Sequence, residues 1–334
     1  MIRTSTITAH PNSLILSSVL LTEDGNTYQR HNSNIQTRKI SNVSKLSPQA
    51  LRKVKKAITY MAHLAPTKKI YNPKFSSKFN FKLAFITLTL SSRQQHTDQE
   101  IKDKILHPFI DYCQKVYKVK NYVWKSERQK NGNIHFHMVI DKYISYEVIR
   151  RKWNEYQDRL QYISNYWGNI EERKAMYTDL DSYYTVNSTD IHSVRKIHDL
   201  QRYLIKYMIK PNSTNRLRVK RNHTHLTKKN YDNYKFLSHN TKTFLKTCAG
   251  NGRIWGCSHG LSNITGARDF LCNDFEEEVI RLKADKEVYI KDESYFLYLG
   301  FDYKVLERLR CKHIIQFLAD YLYSEFGYNS MSVI

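Results

Sequence analysis

No Gly-x-x-x-x-Gly-Lys-Ser/Thr run occurs anywhere in the chain. Without that phosphate cradle there is no nucleotide-driven motor and no fused helicase. Apolar runs are short as well. The best of them, Leu14 to Leu21, is interrupted by Ser17 and Ser18 and falls far below the ~20 residues of a membrane span. Only Arg3 precedes it as a charge and no small-residue cleavage site follows, so it reads as a strand leading into the Asp24-Gly25 turn rather than as a leader. The five cysteines are an odd number without paired metal-ligand spacing. They read as reduced thiols of a cytosolic protein. No internal repeat is present. Acidic residues are also few, 31 against 54 Lys and Arg.

The resulting net charge of +23 suits a polyphosphate partner, and 25 Tyr and 14 Phe offer faces on which bases stack. Charge alone does not separate DNA from RNA or from an anionic membrane. A hydrophobic fraction of 41% over 334 residues excludes wholesale disorder and supports one large domain or two modest ones.

The most informative stretch runs from residue 127 to 137, Glu-Arg-Gln-Lys-Asn-Gly-Asn-Ile-His-Phe-His. Tyr122-Val123-Trp124 and Ile134 to Ile140 are β-prone, and Asn131-Gly132 supplies positive-φ positions for a tight hairpin loop between them. Two residues apart on a strand, His135 and His137 share one face. The hairpin brings Glu127 back beside them. Two imidazoles and a carboxylate on a sheet face can hold a divalent cation with positions left open for a substrate oxygen.

Residues 1–46 are polar and read as an extension. Ser47-Pro48 starts a helix with Leu51, Val54, Ile58, Met61 and Leu64 on one stripe. Phe85-Ile-Thr-Leu-Thr-Leu90 reads as a buried strand. Thr97-Asp98-Gln99-Glu100 is a capping box opening a helix to about Tyr117, with Ile101, Ile105, Phe109, Cys113 and Val116 inward. Ser145 caps a further helix to about Trp167. Ser193 to Lys210 reads as a helix ended by Pro211, with Val194, Ile197, Leu204, Ile205 and Met208 on its apolar stripe. Tyr203, Tyr207 and Lys210 lie on the opposite side, with Lys206 at its edge. Tyr203 and Tyr207 are one turn apart on one face, and each has a lysine three residues on. Residues 212–230 carry Arg216, Arg218, Lys220, Arg221, Lys228 and Lys229 without an acid; the segment is a candidate phosphate-contacting surface. Gly252 to Ser258 reads as a strand with glycine-marked bends. The C-terminal stretch, notably Val305 to Phe326, reads as a mainly helical cover.

A tyrosine hydroxyl, with an unperturbed pKa of about 10, is a poor nucleophile near neutral pH. It can attack a phosphodiester when a metal neutralises charge on a non-bridging oxygen. The products are a phosphotyrosine at a 5′ end and a free 3′ hydroxyl, so the cut can be resealed by reversal. Lys206 or Lys210 can stabilise the phenolate or the phosphate as a point charge. A second tyrosine allows one 5′ end to be held while the other residue cuts.

The ordered set resembles the HUH-endonuclease replication initiators of rolling-circle replicons, in the two-tyrosine class of microviruses, filamentous phages and related plasmids. Phe85 to Leu90 looks like that family's first motif. Ile134-His-Phe-His-Met-Val-Ile140, with upstream Glu127 and Gln129-x-Asn131-Gly132, looks like the second, and Tyr203-Leu-Ile-Lys-Tyr-Met-Ile-Lys210 the third. Arg253-x-Trp255-Gly256-x-Ser258 resembles a motif downstream of the nuclease in phage-type members. The resemblance implies an α+β fold, with a central antiparallel, ferredoxin-like sheet flanked by helices. It implies Mg²⁺ or Mn²⁺ as cofactor, single-stranded origin DNA as substrate, a separate host helicase as partner and the bacterial cytoplasm as location. The corresponding organisation is an extension over 1–46, an endonuclease domain over 47–265 and a helical region over 266–334. Alternatives within the same chemistry are a transposase or a conjugative relaxase; outside it stands a non-catalytic DNA-binding repressor.

Overall fold

The computed structural model describes residues 2–21, 46–72, 76–129, 131–168, 183–194, 253–263, 266–270, 273–286, 288–293, 296–301 and parts of 308–321. Two strands, β1 (Ile2–His10) and β2 (Ser13–Leu21), form a hairpin. Helix α1 (Pro48–Leu64) follows, with the Ser47 hydroxyl accepting from the Ala50 N–H at 3.1 Å and proline in its first turn, the expected cap. Next come a short ribbon, β3 (Lys68–Asn72) and β4 (Ser77–Phe81), and strand β5 (Leu83–Thr89).

Thr97 and Glu100 form the reciprocal capping box that opens α2 (Asp98–Ile101). A π-helical stretch (Lys102–Leu106) links α2 to α3 (His107–Tyr117). Its extra residue per turn shifts the helix phase. Tyr117 therefore packs on the core, and Val116, expected inward, is 56% exposed. After β6 (Tyr122–Arg128) and β7 (Ile134–Ile140), the single helix expected from Ser145 to Trp167 is two: α4 (Tyr146–Asp158) and α5 (Tyr162–Gly168). The break is local, since Gln161 takes φ 62°, which a continuing helix does not permit. Ser145 sits at the N-cap but makes no side-chain cap bond. Residues Ser193 and Val194, expected as the start of the tyrosine helix, belong instead to β8 (Thr189–Val194), where they pair with Ala84 and Leu83. Strand β9 (Trp255–Cys257) and short α6 (His259–Ser262) follow.

Five of these strands form one antiparallel sheet in the order β8-β5-β7-β6-β9. Alternation sorts its two faces. Ala84, Ile86 and Leu88 of β5, Trp124 of β6 and Ile134, Phe136, Met138 and Ile140 of β7 face a core with Ile101, Ile105, Phe109, Trp153 and Tyr162 from the helices. Trp153 is fully buried, and its Nε1 donates to the Thr89 carbonyl at 2.8 Å. That bond docks α4 on the sheet without leaving the indole N–H unpaired. On the other face, Leu83, Phe85, Val123 and Val139 pack under Val54, Ala57, Ile58 and Met61 of α1.

The remaining strands build a second antiparallel sheet, β10-β1-β2-β12-β11, from β10 (Ala267–Phe270), β11 (Tyr289–Glu293), β12 (Phe296–Gly300) and the N-terminal hairpin. Helix α7 (Asn273–Ala284) covers it, with Val279 and Leu282 against Ile7, Leu14, Leu297 and Leu299. Two expectations change here. Within the expected extension over 1–46, residues 2–21 form two sheet strands, of which Leu14 to Leu21 was expected, and the region 266–334, expected to be helical, contributes β10, β11 and β12 to the same sheet. Described residues between 308 and 321 are partly helical. The His10 Nδ1 atom lies 2.9 Å from the Tyr60 hydroxyl of α1, and Tyr321 packs against both adjoining cores.

Candidate metal centre

The site lies on the first sheet, on the face shared with α1 but one row beyond the residues α1 covers. Cross-strand register sets it. Thr89, His135 and Glu127 stand in one row across β5, β7 and β6, and Thr87, His137 and Lys125 in the next. The loop between β6 and β7 is longer than a two-residue Asn-Gly turn. The Gly132 N–H donates to Gln129 O at 3.0 Å, the Gln129 N–H to Asn133 O at 2.9 Å, and Gly132 takes φ 92°. This is the three-residue hairpin loop, with glycine in the left-handed position. The odd loop count keeps Glu127 opposite His135, on the same face.

The loop is clamped from outside by the segment after β5. Arg128 donates through Nη1 to Gln94 Oε1 (2.9 Å) and to the Gly132 carbonyl (3.0 Å), and through Nη2 to Asp98 Oδ2 (2.5 Å). The Asn133 carboxamide accepts from the Gln94 N–H at 2.9 Å and donates to Ser92 O at 2.9 Å. The Ile134 N–H donates to Gln94 Oε1 at 2.8 Å. A buried polar network satisfied this fully fixes its members in one arrangement.

Three donor atoms converge. Glu127 Oε1 lies 3.0 Å from His135 Nε2 and 3.3 Å from His137 Nε2, and the two nitrogens are 3.1 Å apart. Around a hard divalent ion with bonds of ~2.1 Å, ligands at right angles stand ~3.0 Å apart. The donor set fits such an ion by spacing and by chemistry, with two imidazole nitrogens and one carboxylate oxygen 3.0–3.3 Å from one another. These residues form the one cluster of three potential ligands among the described residues.

The backing of the two imidazoles differs. His137 Nδ1 is 3.2 Å from Thr87 Oγ1, and its ring stacks on Phe85 with centroids 5.3 Å apart and planes at 20°. A proton on Nδ1, donated to Thr87, leaves the Nε2 lone pair free for a ligand. His135 Nδ1 is buried without a hydrogen-bond partner among the described residues. Burial acts to raise the Glu127 carboxyl pKa, but hydrogen bonds and charge from both imidazoles outweigh it and hold the group well below the usual carboxylate range. Burial lowers the His137 pKa, with Glu127 partly offsetting it. Both effects favour the ligating states, carboxylate and neutral imidazole.

Of the residues expected in the site, the structure brings Glu127, His135 and His137 together. Tyr203, Lys206, Tyr207 and Lys210 lie outside the described residues, as do Arg216, Arg218, Lys220 and Arg221. Sequence reasoning named Phe85 to Leu90 as a motif but gave Phe85 and Thr87 no role at the site, and it passed over the buried Lys125 (1% exposed); all three share the histidines' face. The alternation in Phe85-Ile-Thr-Leu-Thr held the signal, since residues 85, 87 and 89 share one side of their strand. The downstream Gly256 meets Trp124 closely: a Cβ there would sit 2.7 Å from Trp124 Nε1.

Geometry thus defines a sheet-borne cluster of three donors that could hold a metal ion. Residues 83–212, from β5 through the Tyr203–Lys210 segment, match the family model of the replication-associated protein ORF2. The match supports a replication initiator of the Rep type. No curated protein and no solved structure gives a significant match. Among the described residues no helix is long and apolar enough to cross a membrane.

Proposed function

We propose that this chain is a two-tyrosine, HUH-type rolling-circle replication initiator that nicks and rejoins single-stranded origin DNA in the bacterial cytoplasm. The observation that carries the reading is the convergence of Glu127, His135 and His137 within 3.0–3.3 Å on a central strand pair. The replication-associated match across 83–212 supports it independently. Mg²⁺ or Mn²⁺ held by these three residues would neutralise charge on the scissile phosphate and orient it. The phenolic oxygen of Tyr203 or Tyr207 attacks phosphorus, a P–O bond to tyrosine forms, and the P–O3′ bond breaks. The phenol proton is lost to solvent or a base, and the departing 3′ oxygen ends protonated as a hydroxyl. Lys206 and Lys210, each three residues after a tyrosine, stabilise the phenolate and the phosphate. Arg216, Arg218, Lys220 and Arg221 supply backbone contacts. Unwinding falls to a separate host helicase, because the chain has no nucleotide-binding loop.

Covalent capture tests the reading. The protein is incubated with Mn²⁺ and labelled single-stranded DNA carrying its candidate origin, then run on a denaturing gel. The expected result is a protease-sensitive shifted band that requires metal and is lost in the Tyr203→Phe/Tyr207→Phe double variant. Tight, metal-independent binding with no adduct would instead leave a DNA-binding repressor. An adduct that survives the double variant would move the nucleophile elsewhere.

A further inference from the structure

The ribbon β3–β4 belongs to neither large sheet. From Lys68 to Lys82 the chain carries five lysines and four aromatic residues and no Asp or Glu. Its register gives it two unlike faces. Ile70 opposes Phe79 and Lys68 opposes Phe81 on one. There Ile70 and Phe79 pack on the core, and Tyr143 meets Phe79 and Phe81 edge-on at 5.6 and 5.7 Å. Those contacts seat the ribbon's inner face on the core. The other face presents Lys69, Tyr71, Lys78 and Asn80, all exposed, with Tyr71 56% accessible.

Charge gathers at the base of the ribbon. Partial burial, then the nearby Lys142 and Lys120, lowers the Lys68 pKa. Asp141, the acid beside this group, is buried and accepts from the Lys120 and Asn121 N–H groups at 3.2 and 3.0 Å. On the outer face the exposed Lys69 and Lys78 add to this positive charge, which a polyanion offsets.

We infer that the β3–β4 ribbon is a docking surface for double-stranded DNA, with Lys69 and Lys78 on phosphates and Tyr71 and Asn80 facing the groove. A two-stranded ribbon has the width of the major groove, and its lysines match backbone phosphates.

The test is done in EDTA, so that it stands apart from any metal chemistry. Binding of the full chain to a labelled duplex of about 20 base pairs and to an oligo-dT strand of equal length is measured by fluorescence anisotropy from about 50 to 200 mM salt. Lys69→Ala/Lys78→Ala should weaken duplex binding about tenfold at the upper salt. Loss of two phosphate contacts should also reduce the slope of log affinity against log salt by about 1.8. Binding to oligo-dT should change less than about threefold, and Lys69→Arg/Lys78→Arg should keep duplex binding near wild type. Unchanged duplex binding in the alanine variant would overturn the inference. Equal losses for duplex and oligo-dT would overturn it too, by making the ribbon a general or single-strand surface.

Discussion

Replacing Arg128 by alanine is expected to remove about 3 kcal/mol of folding stability, a value that follows from burial. The Arg128 and Asp98 side chains are 9% and 11% exposed and 2.5 Å apart. An exposed pair contributes ~0–1 kcal/mol, but breaking a buried pair leaves an uncompensated charge and costs about 3–5 kcal/mol. Here the lower end applies. Once the guanidinium is gone, Asp98 keeps the Gln94 Nε2 donor at 2.9 Å and its place in the first turn of α2, where the helix N-terminus favours an anion. Asp98→Ala should cost a similar amount, since Arg128 retains Gln94 Oε1 and the Gly132 carbonyl. The double variant should cost clearly less than the sum, with a coupling of ~1–3 kcal/mol, because each single change already strands the partner. Urea unfolding of the four proteins measures this directly. Because Arg128 adjoins Glu127 and anchors the loop before His135, the single variants should also bind Mn²⁺ more weakly by titration calorimetry. Additive single effects at or below ~1 kcal/mol would refute the account and make the network a solvated surface pair.

Gly256→Ala places a Cβ 2.7 Å from Trp124 Nε1, and Trp124 is held edge-on against Phe136 at 6.1 Å; a loss of about 1–3 kcal/mol by urea unfolding is expected, while Gly260→Ala, with nothing within 4 Å of its Cβ, should be tolerated. Burial, then Lys56, lowers the His10 pKa from 6.5 to about 4. The unfolded chain thus takes up the proton first, so the His10 contribution is complete above about pH 6.5 and is lost as pH falls toward 4. The limit is about 3 kcal/mol, less in practice because the ring keeps some solvent contact. Thermal melts across that range should show the fall, and His10→Gln should flatten that part of the profile. Thr87→Val should weaken Mn²⁺ binding about 10–100-fold by removing the partner of His137 Nδ1, and Thr87→Ser should restore most of it; equal affinities in all three proteins would show that the contact does not orient the ring.

Local pattern made much of the centre legible before any coordinates. A period of two puts both histidines on one face whatever the rest of the chain does, and a hairpin between β-prone segments returns Glu127 to them. Likewise, the stripe and proline of α1 and the Thr97–Glu100 box specify helix starts through contacts between near neighbours in the chain. Contacts between residues far apart in the chain were not legible. Thr87 backs His137 from 50 positions away, and only strand order decides that β5 rather than β8 lies beside β7. The phase slip that exposes Val116 comes from a π turn whose residues read as ordinary helix.

The second sheet marks the division most clearly. By itself the sequence determined where chain-local chemistry lies: which residues alternate, which cap, and which three side chains can meet across one turn. Tertiary structure alone decided that residues 2–21 and 267–300 share one sheet. Strands 9, 4 and 5 residues long carry too weak a periodic signal to name their partners. Their backbone groups and apolar faces are satisfied only after segments from near the two ends of the chain have been brought together.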